Sequence, residues 1–553
     1  MLRKCAGLSL VLSAAAAIAL AQSKPIPQLV KQGGKYTFLV DGKPFLMLGG
    51  QVDNFSSWLP GPSYHNIEPI QDEIAKVLPG FQPYHANTIE FPVHWGYIEP
   101  TEGKFDFTSF DQIVRDIRSH DLRAIVLWFG TWKGGDDTFQ PEWVRSNPAR
   151  FPKALDEDGK AVRTLSPLGA ATLAADRKAF AALMKHIREI DENDRTVILV
   201  QVENEAGLLG TAREHSPEAN ALFNGPVPKE FVTALKKKSG TWAQVFGAQF
   251  ADEAFTTYYM AKFIDSVAQA GKDIYPLPLA LNVWMGGPGS NAFDRPGDSY
   301  PSGGGQAHTL DLWKAAAPAL DVIAPDIYDR SPVNYRKILA DYARPDNPLL
   351  MVETGEGKET AQYCFMAFGE FGAIGLAQFG VGIKEYGATA DGGFGPQFAD
   401  MAANFRLLRN AAPVIADLEG TKKLQSAIEE QYIARRLLSF DRYDAMVRFP
   451  PAMGRQLNWG EQRSPTVPSG RTILAQLQPD EFLILGIDST IDFRPPATSG
   501  HKEARFVEIE EGLYKDGVWT PVKYQPGVSA KSPARGLMLP KEGVILHVKL
   551  QWE

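Results

Sequence analysis

Two apolar stretches of this chain end in carboxylates, and these side chains are the first candidates for chemistry. In "LVQVENEAG", Leu199–Gly207, the apolar run delivers Glu203, Asn204 and Glu205 at its end. In "LLMVETGEG" a similar run ends in Glu353. Burying a carboxylate at a strand end costs several kcal/mol unless the group is paired or hydrogen-bonded. A catalytic role explains that cost, and the structural alternative is an ion pair or a helix cap at each position.

Two carboxylates that flank a sugar ring can hydrolyse a glycosidic bond. One attacks the anomeric carbon and the other protonates the leaving oxygen when they lie ~5–5.5 Å apart, whereas a gap of ~6.5–9.5 Å gives inversion. Burial and a neighbouring anion keep the acid protonated near neutral pH. The residues alone leave Glu203 and Glu205 as alternatives. In a regular strand they share a face and Asn204 points away, but a bend at the tip brings Asn204 back.

The elements that must position these groups alternate regularly along the chain. Eight short apolar runs, separated by amphipathic segments, span about residues 45 to 410. This pattern predicts an α/β fold, a (β/α)₈ TIM barrel with a smaller C-terminal all-β domain. A doubly wound sheet is the alternative, but no Gly-rich fingerprint follows the first strand. The predicted strands are Phe45–Leu48, Ala86–Phe91, Arg123–Phe129, Thr196–Val202, Leu277–Val283, Val322–Ile327, Leu349–Val352 and Ile374–Phe379.

The barrel geometry brings the carboxylates together. Catalytic groups in such barrels project from the C-terminal ends of strands. Glu203 and Glu205 end the fourth strand and Glu353 ends the seventh, so they lie on opposite sides of the mouth. The helices between strands are predicted at Phe107–His120, Leu173–Glu189, Phe255–Ala270 and Tyr335–Ala343, where apolar residues recur at three and four.

The domain boundaries follow from changes in composition. Residues 1–21 read as a signal peptide: Arg3 and Lys4 precede an apolar run, and Ala19-Leu20-Ala21 offers a cleavage site before Gln22. The run is short for a membrane anchor, so we expect a periplasmic or secreted protein without a membrane partner. The barrel, with a short β-hairpin lead-in, is predicted for 22–414. A β-sandwich-like domain is predicted for 415–553. Its role is either to bind sugar or, as we favour, to cover one side of the barrel.

Charge and motif content exclude several function classes. The formal charge is −8, and loss of Arg3 and Lys4 makes it −10 (−8 minus 2), which disfavours a nucleic-acid partner. Signal cleavage leaves Cys364 as the lone cysteine, so no internal disulfide forms. The nine histidines are scattered, and HExxH, Gly-x-Ser-x-Gly and phosphate-loop motifs are absent. We therefore expect no metal and no cofactor, while homo-oligomerisation stays open.

The motifs also resemble a known family. "QVENEAG" is similar to the Gln-aliphatic-Glu-Asn-Glu signature of family 35 β-galactosidases, and "NTIEFPVHWGYIEPTEGKFDFTSFD", Asn87–Asp111, resembles their second-strand motif. Family 42 β-galactosidases carry a similar pattern. The resemblance covers roughly Phe45 to Asn410, and the tail looks like the extra β domain of a bacterial branch of family 35. It implies a retaining exo-β-galactosidase that acts by double displacement on a carbohydrate substrate, either oligosaccharides or polysaccharides such as plant cell-wall xyloglucan.

Carried over residue by residue, the resemblance assigns roles at the strand ends. Glu205 matches the general acid/base, which resolves the choice between the two glutamates. Asn204 matches the amide that hydrogen-bonds the sugar 2-hydroxyl. Glu353 matches the nucleophile, and Tyr328 matches the tyrosine that holds the nucleophile's oxygen.

Two departures from the family bear on sugar specificity. Gly130 stands where the family usually has a glutamate that grips galactose hydroxyls, and Pro92 replaces a tyrosine of the second-strand motif. The alternatives are therefore another retaining β-glycosidase of the same clan with different specificity, or a non-catalytic carbohydrate-binding barrel. The intact pair Glu205 and Glu353 favours an enzyme over a binding protein.

Further side chains at the predicted strand ends are candidates for sugar contacts. Trp128, Trp132 and Trp284 offer aromatic faces that stack on sugar C–H faces, with core packing as the alternative. Trp284 also opens a long Gly-rich loop, which we interpret as a lid or a wall of the leaving-group subsite. Gln51 follows the first strand and Glu90 lies near the end of the second. Both are placed to bind hydroxyls, although a turn role for Gln51 is equally consistent.

Overall fold

A computed structural model describes residues 24–53, 70–134, 139–286, 294–383, 387–389, 392–430, 433, 435–449, 468–515, 517–526 and 536–552. The predicted signal peptide lies outside the described residues, and so do residues 287–293 of the Gly-rich loop.

The described chain begins with a three-stranded antiparallel sheet. Asp41 and Gly42 form its second turn with φ values of 53° and 75°. Positive φ at both central residues matches strand twist in a two-residue hairpin, for which Asp-Gly is a preferred pair. The strands are β1 (Gln28–Gln32), β2 (Lys35–Val40) and β3 (Lys43–Pro44).

Eight parallel strands close into a barrel in the order β4-β5-β6-β9-β10-β11-β12-β13, which confirms the predicted fold class. These strands are buried on both faces, because side chains fill the interior and helices cover the outside. A hairpin, β7 with β8, follows the third barrel strand. The strands are β4 (Met47–Gln51), β5 (Thr88–His94), β6 (Arg123–Lys133), β7 (Lys153–Leu155), β8 (Ala161–Leu165), β9 (Val197–Asn204), β10 (Leu279–Trp284), β11 (Val322–Ile327), β12 (Leu350–Thr354) and β13 (Gly375–Phe379).

Helices connect the barrel strands and bury their apolar faces against them. The four helices predicted from periodicity are present as α4, α6, α10 and α12. The helices are α1 (Ile70–Val77), α2 (Phe81–Tyr84), α3 (Trp95–Ile98), α4 (Thr108–Ser119), α5 (Glu142–Arg145), α6 (Ala170–Asp191), α7 (Pro217–Asn224), α8 (Lys229–Ala234), α9 (Trp242–Phe246), α10 (Ala251–Lys272), α11 (Leu310–Ala316), α12 (Pro332–Tyr342), α13 (Lys358–Phe371) and α14 (Ala399–Leu418).

The C-terminal region is all-β, as predicted, and consists of a six-stranded and a four-stranded antiparallel sheet with a shared apolar core. Strands β14 and β17 of the larger sheet pack on α13 of the barrel. The strands are β14 (Leu424–Ile428), β15 (Arg435–Ser439), β16 (Asp444–Arg448), β17 (Arg471–Gln478), β18 (Glu481–Ile487), β19 (Ser489–Arg494), β20 (Ala504–Lys515), β21 (Val518–Pro526), β22 (Leu537–Leu539) and β23 (Val544–Trp552).

Strand register sets the layout of the barrel mouth. Asp326 on β11 lies beside Glu353 on β12, and Gln51 on β4 lies beside Glu90 on β5. Within the described residues, none of the helices combines the length and the apolarity needed to cross a membrane.

Candidate active site

Three carboxyl groups converge at the C-terminal end of the barrel. One carboxylate oxygen from each of Glu205, Asp326 and Glu353 lies within 4.8 Å of the other two. Glu205 follows β9, whereas Asp326 and Glu353 lie side by side on the neighbouring strands β11 and β12, so Glu205 approaches them from another part of the mouth. The predicted pairing of Glu205 with Glu353 is therefore the arrangement that the structure contains.

A local twist of the chain separates Glu205 from Glu203. The φ angles of Glu203 and Glu205 are 64° and 49°, in the left-handed region that costs a non-glycine residue ~1–2 kcal/mol. Glu203 turns toward β6, where its oxygens accept the backbone N–H groups of Thr131 at 3.1 Å and Trp132 at 2.8 Å. Asn204 faces the site and donates to Glu205 Oε2 at 3.1 Å. The bent strand tip is thus the correct alternative.

Glu353 is buried and held by two donors. Its side chain accepts hydrogen bonds from the Tyr328 hydroxyl and from Gln51 Nε2, the latter at 3.3 Å. Burial, and next the negative charge of Glu205, raises the pKa of Glu353 to about 7, whereas the two hydrogen bonds and Lys133 oppose that rise. The pair of Glu205 and Glu353 consequently keeps one proton up to about neutral pH, which a two-carboxylate mechanism requires.

A fourth carboxyl group, that of Glu90, lies with Asp326 in the same interior. Burial, followed by repulsion from Glu353, raises the pKa of Glu90 and of Asp326 well above the usual range. Neither Glu90 oxygen has a hydrogen-bond partner among the described residues, and Asp326 Oδ1 has none either. Buried polar atoms are rarely left unpaired, and protonated carboxyls can donate as well as accept. A ligand rich in hydroxyl groups would satisfy them.

Asn282 and Lys133 are site residues that our sequence analysis missed. Asn282 on β10 accepts from the Glu205 backbone N–H at 2.7 Å and donates to Asn204 at 3.0 Å and Asp326 at 2.8 Å. Its signal was a polar residue inside the apolar run "LALNVW". Lys133 Nζ lies 3.2 Å from Glu205 Oε2. Lys133 reaches Glu205 because the pairing of β6 with β9 is interrupted before it, and the sequence does not predict this interruption.

The structure overturns two of the three predicted tryptophan platforms. Trp128 is fully buried, donates to Asp176 and packs on Phe180 of α6. Trp132 packs edge-on against Phe263 of α10. Both side chains point out of the barrel into the helical layer, because a strand buried on both faces has apolar residues on each.

Two aromatic residues are exposed beside the carboxylates. Trp284 is 40% exposed, and its ring and Glu205 both lie against Gly134. Tyr328 is 48% exposed, although its hydroxyl group contacts Glu353. Exposed rings at a polar cleft provide stacking surfaces for sugars.

Glu205, Asp326 and Glu353 are also the one group among the described residues spaced closely enough to share a metal ion. Burial favours the protonated form of Asp326, and Lys133 already brings a positive charge to Glu205. Hard cations prefer ionised oxygen ligands. The trio therefore fits a metal poorly, and its independence of metal and cofactor stays a prediction.

The part of the chain that contains Glu205 is similar to known proteins. Residues 72–253 match a family model described as "Beta-galactosidase", of glycosyl hydrolase family 42, and this segment contains Glu205. A curated β-galactosidase from Xanthomonas manihotis is 26% identical over 232 residues, covering 39% of this chain and 32% of the relative. The chain thus spans about a third of that relative's length. Over this segment the chain is therefore similar to β-galactosidases, whereas membership of family 35 stays a prediction.

Other matches cover the C-terminal region and the general architecture. Residues 401–527 match a domain of unknown function, DUF5597. Among solved structures, a β-galactosidase from Rahnella sp. R3 is 16% identical with a TM-score of 0.47, covering 70% of this chain and 58% of that one. A β-galactosidase from Marinomonas ef1 is 14% identical with a TM-score of 0.47, covering 67% and 61%.

Proposed function

We propose that this chain is a retaining exo-β-galactosidase, which removes terminal β-galactose by double displacement. The observation that carries the proposal is the approach of Glu205 and Glu353 oxygens to within 4.8 Å across the barrel mouth. This proximity favours direct attack by one carboxylate over the wider separation of an inverting pair.

In the first step Glu353 attacks the anomeric carbon while Glu205 gives its proton to the glycosidic oxygen. In the second step Glu205 takes a proton from water, the water oxygen bonds to the anomeric carbon, and Glu353 leaves as a carboxylate. Tyr328 and Gln51 donate to Glu353 and hold its attacking oxygen in place. Asn204 is the residue that we assign to the sugar 2-hydroxyl.

Galactose specificity is supported by the family model and by the curated relative, both described as β-galactosidases. Glu90 and Asp326 hold unpaired buried oxygens, which we assign to hydroxyls of the bound sugar. Trp284 and Tyr328 provide the exposed rings on which a sugar can stack. Exo action, and xyloglucan side chains as a natural source of terminal galactose, rest on the family 35 resemblance.

The test compares 4-nitrophenyl β-galactoside with the β-glucoside, β-mannoside and α-galactoside, and follows the released sugar by proton NMR. We expect the highest kcat/KM for β-galactoside and release of β-galactose as the first product. Release of α-galactose would contradict the retaining mechanism. Preference for another β-glycoside would assign the site to a clan-related β-glycosidase, and sugar binding without turnover would make it a binding protein.

We also propose that the protein is exported after cleavage before Gln22, because Arg3 and Lys4 followed by an apolar run match the pattern of a signal peptide. N-terminal sequencing of the protein recovered from a periplasmic extract or the medium tests this. A mature chain that begins at Gln22 supports export, whereas an uncleaved cytoplasmic chain contradicts it.

A further inference from the structure

The third barrel strand, β6, is irregular at the point where it reaches the site. Its pairing with β9 is interrupted after Trp128 and resumes at Lys133, which lies beside Asn204. Gly134 continues the ladder by donating to the Asn204 carbonyl at 3.0 Å. The interruption leaves backbone N–H groups of β6 without strand partners.

The Glu203 carboxyl group takes the place of those strand partners. It accepts from the N–H groups of Thr131 and Trp132 at 3.1 and 2.8 Å. Asp176 lies against it and accepts from Trp128 Nε1 and from the Thr131 hydroxyl. Burial, and for Glu203 also the Asp176 charge, raises the pKa of both carboxyls, so the pair retains a proton.

Gly130 is needed for this arrangement. A Cβ at that position would lie 2.6 Å from Glu203 Oε1 and 2.9 Å from Asp176 Oδ1. A side chain at this position would therefore collide with the buried carboxyl pair, which explains the glycine. The same interruption of β6 places Lys133 beside the proposed catalytic carboxyl groups.

Lys133 is firmly placed beside Glu205. Its ammonium nitrogen lies 3.2 Å from Glu205 Oε2, and the two side chains are only 15% and 12% exposed. The same nitrogen sits 5.9 Å from the centre of the Phe129 ring. An ion pair with this little exposure is weakly screened by salt, so its electrostatic effect on Glu205 is substantial.

We propose that Lys133 is a further catalytic residue, whose ammonium group stabilises the carboxylate that Glu205 becomes as its proton leaves. The inference rests on the proposed function, because it assumes that Glu205 is the acid. In the first step the Glu205 proton passes to the glycosidic oxygen, and negative charge develops on the carboxyl group beside Lys133. A fixed positive charge aimed at developing negative charge lowers the barrier.

Other titratable groups act on the same carboxyl and must be counted. Lys133 is the one cation beside Glu205 for which the described residues show an ion pair, while carboxyl groups and a tyrosine hydroxyl approach from two other strands. These groups are Asp326 and Tyr328 from β11 and its loop and Glu353 from β12, with Glu90 of β5 behind them. Each of these groups is negative when ionised, and Lys133 provides the compensating positive charge beside Glu205.

The experiment compares wild type with Lys133→Met and Lys133→Arg, using aryl β-galactosides with good and poor leaving groups between pH 4 and 9. We expect Lys133→Met to move the alkaline limb of kcat/KM up by about one pH unit. Because the acid is then weaker, poor leaving groups should slow about tenfold at acidic pH and good ones far less. Lys133→Arg keeps the charge and should restore both properties.

Lys160→Met is the matched control, since Lys160 is an exposed lysine in the hairpin that follows the same strand and pairs with Asp158. It should leave the limb and the leaving-group response unchanged. If Lys133 has a purely structural role, Lys133→Met will slow all substrates equally and will not move the alkaline limb. That result would overturn the inference about Lys133. It would leave the proposed function standing, provided that the wild type turns over β-galactosides. A wild type without glycosidase activity would overturn both.

Discussion

At Glu353 the proposed catalytic role conflicts with the stability of the fold. Its pKa of about 7 in the folded protein exceeds the ordinary value of 4.5, so between these values the folded state holds, on the pair of Glu353 and Glu205, a proton that the unfolded state has lost. Stability therefore falls as pH rises from about 4.5 to about 7, and the full penalty is present above that range. Buried catalytic carboxylates commonly carry such a cost.

Replacing the charge should therefore stabilise the protein in a pH-dependent way. We expect Glu353→Gln to abolish turnover and to raise the free energy of unfolding at pH 8 by up to ~3 kcal/mol more than at pH 5. Urea unfolding at both pH values measures this. The exposed Glu542→Gln is the control, and an equal effect of Glu353→Gln at both pH values would contradict the raised pKa.

The same pair predicts the pH dependence of catalysis. Once the last proton of Glu205 and Glu353 is lost, no acid is available, so kcat/KM should decline above about pH 7. For a substrate with an activated leaving group, Glu205→Gln should remove this alkaline limb. A wild-type profile that stays flat to pH 9 would show that the pair does not hold the catalytic proton.

Asn282 connects three site residues, and its loss should affect them together. Asn282→Ala removes the acceptor of the Glu205 N–H and the donor to Asn204 and Asp326. We expect kcat/KM to fall about 100-fold and stability to fall by ~1–3 kcal/mol. Asn410→Ala, which removes a hydrogen bond within α14, should leave activity unchanged. Wild-type activity of Asn282→Ala would contradict the positioning role.

At the residue scale, strand-end polar groups were predictable but side-chain direction was not. The sequence places Glu205, Glu353, Tyr328 and Gln51 at the barrel mouth, because a polar residue that ends a buried strand is costly unless a site uses it. It misassigned Trp128 and Trp132, which the structure places in the helical layer. A strand buried on both faces gives no alternation from which to read the inward side.

At the scale of elements, the residue that follows β6 determines where the Glu205 side chain lies. Gly134 has a φ of 52°, and a Cβ there would lie 2.9 Å from Glu205 Oε2 and 3.6 Å from the Trp284 ring. A side chain at this position would displace the proposed acid. The conformation and the contact both require glycine.

We expect Gly134→Ala to reduce kcat/KM about 100-fold, because it moves Glu205, and to cost ~1–2 kcal/mol of stability. Gly159→Ala is a matched control: Gly159 has a φ of 75° and no atom within 4 Å of its Cβ position. Gly159→Ala should lose a similar amount of stability through backbone strain but keep normal kcat/KM. Equal activity of the two variants would mean that Gly134 does not set the position of Glu205.

The elements themselves were largely predictable, whereas their irregularities were not. All eight barrel strands occur within about four residues of their predicted bounds, because apolar runs flanked by helical periodicity determine them. The interruption of β6, the left-handed φ of Glu203 and Glu205, and the hydrogen bonds that support them depend on tertiary partners. These irregular features create the site.

At the scale of the whole molecule, a buried arginine joins the barrel to the C-terminal sheets. Arg471 on β17 is 1% exposed and donates to Asn404 and to the Asp400 carbonyl, both on α14. It also donates to the Ser469 carbonyl at 2.7 Å. These hydrogen bonds lie at the interface between the barrel and the C-terminal sheets. The buried charge of Arg471 is therefore compensated only when both regions are folded together.

We expect Arg471→Met to lower the free energy of unfolding by ~3 kcal/mol, because it leaves buried acceptors unpaired. Turnover per folded molecule should be unchanged, since Arg471 contacts α14, Ser469 and the Phe365 ring and none of the proposed site residues among the described contacts. Arg494→Met, at an exposed position of β19, should cost little. Urea unfolding and activity assays measure both variants, and an unchanged stability of Arg471→Met would contradict the structural role.

In the proposed mechanism Glu353 attacks the anomeric carbon while Glu205 faces it as the acid. Incubation with 2-deoxy-2-fluoro-β-galactosyl fluoride, followed by intact mass and peptide mapping, identifies the attacking residue. We predict one added fluorogalactosyl group, located on Glu353 and absent from Glu353→Gln. A label on Glu205 or on another peptide, or no label on an enzyme that turns over β-galactosides, would rule out Glu353 as the nucleophile.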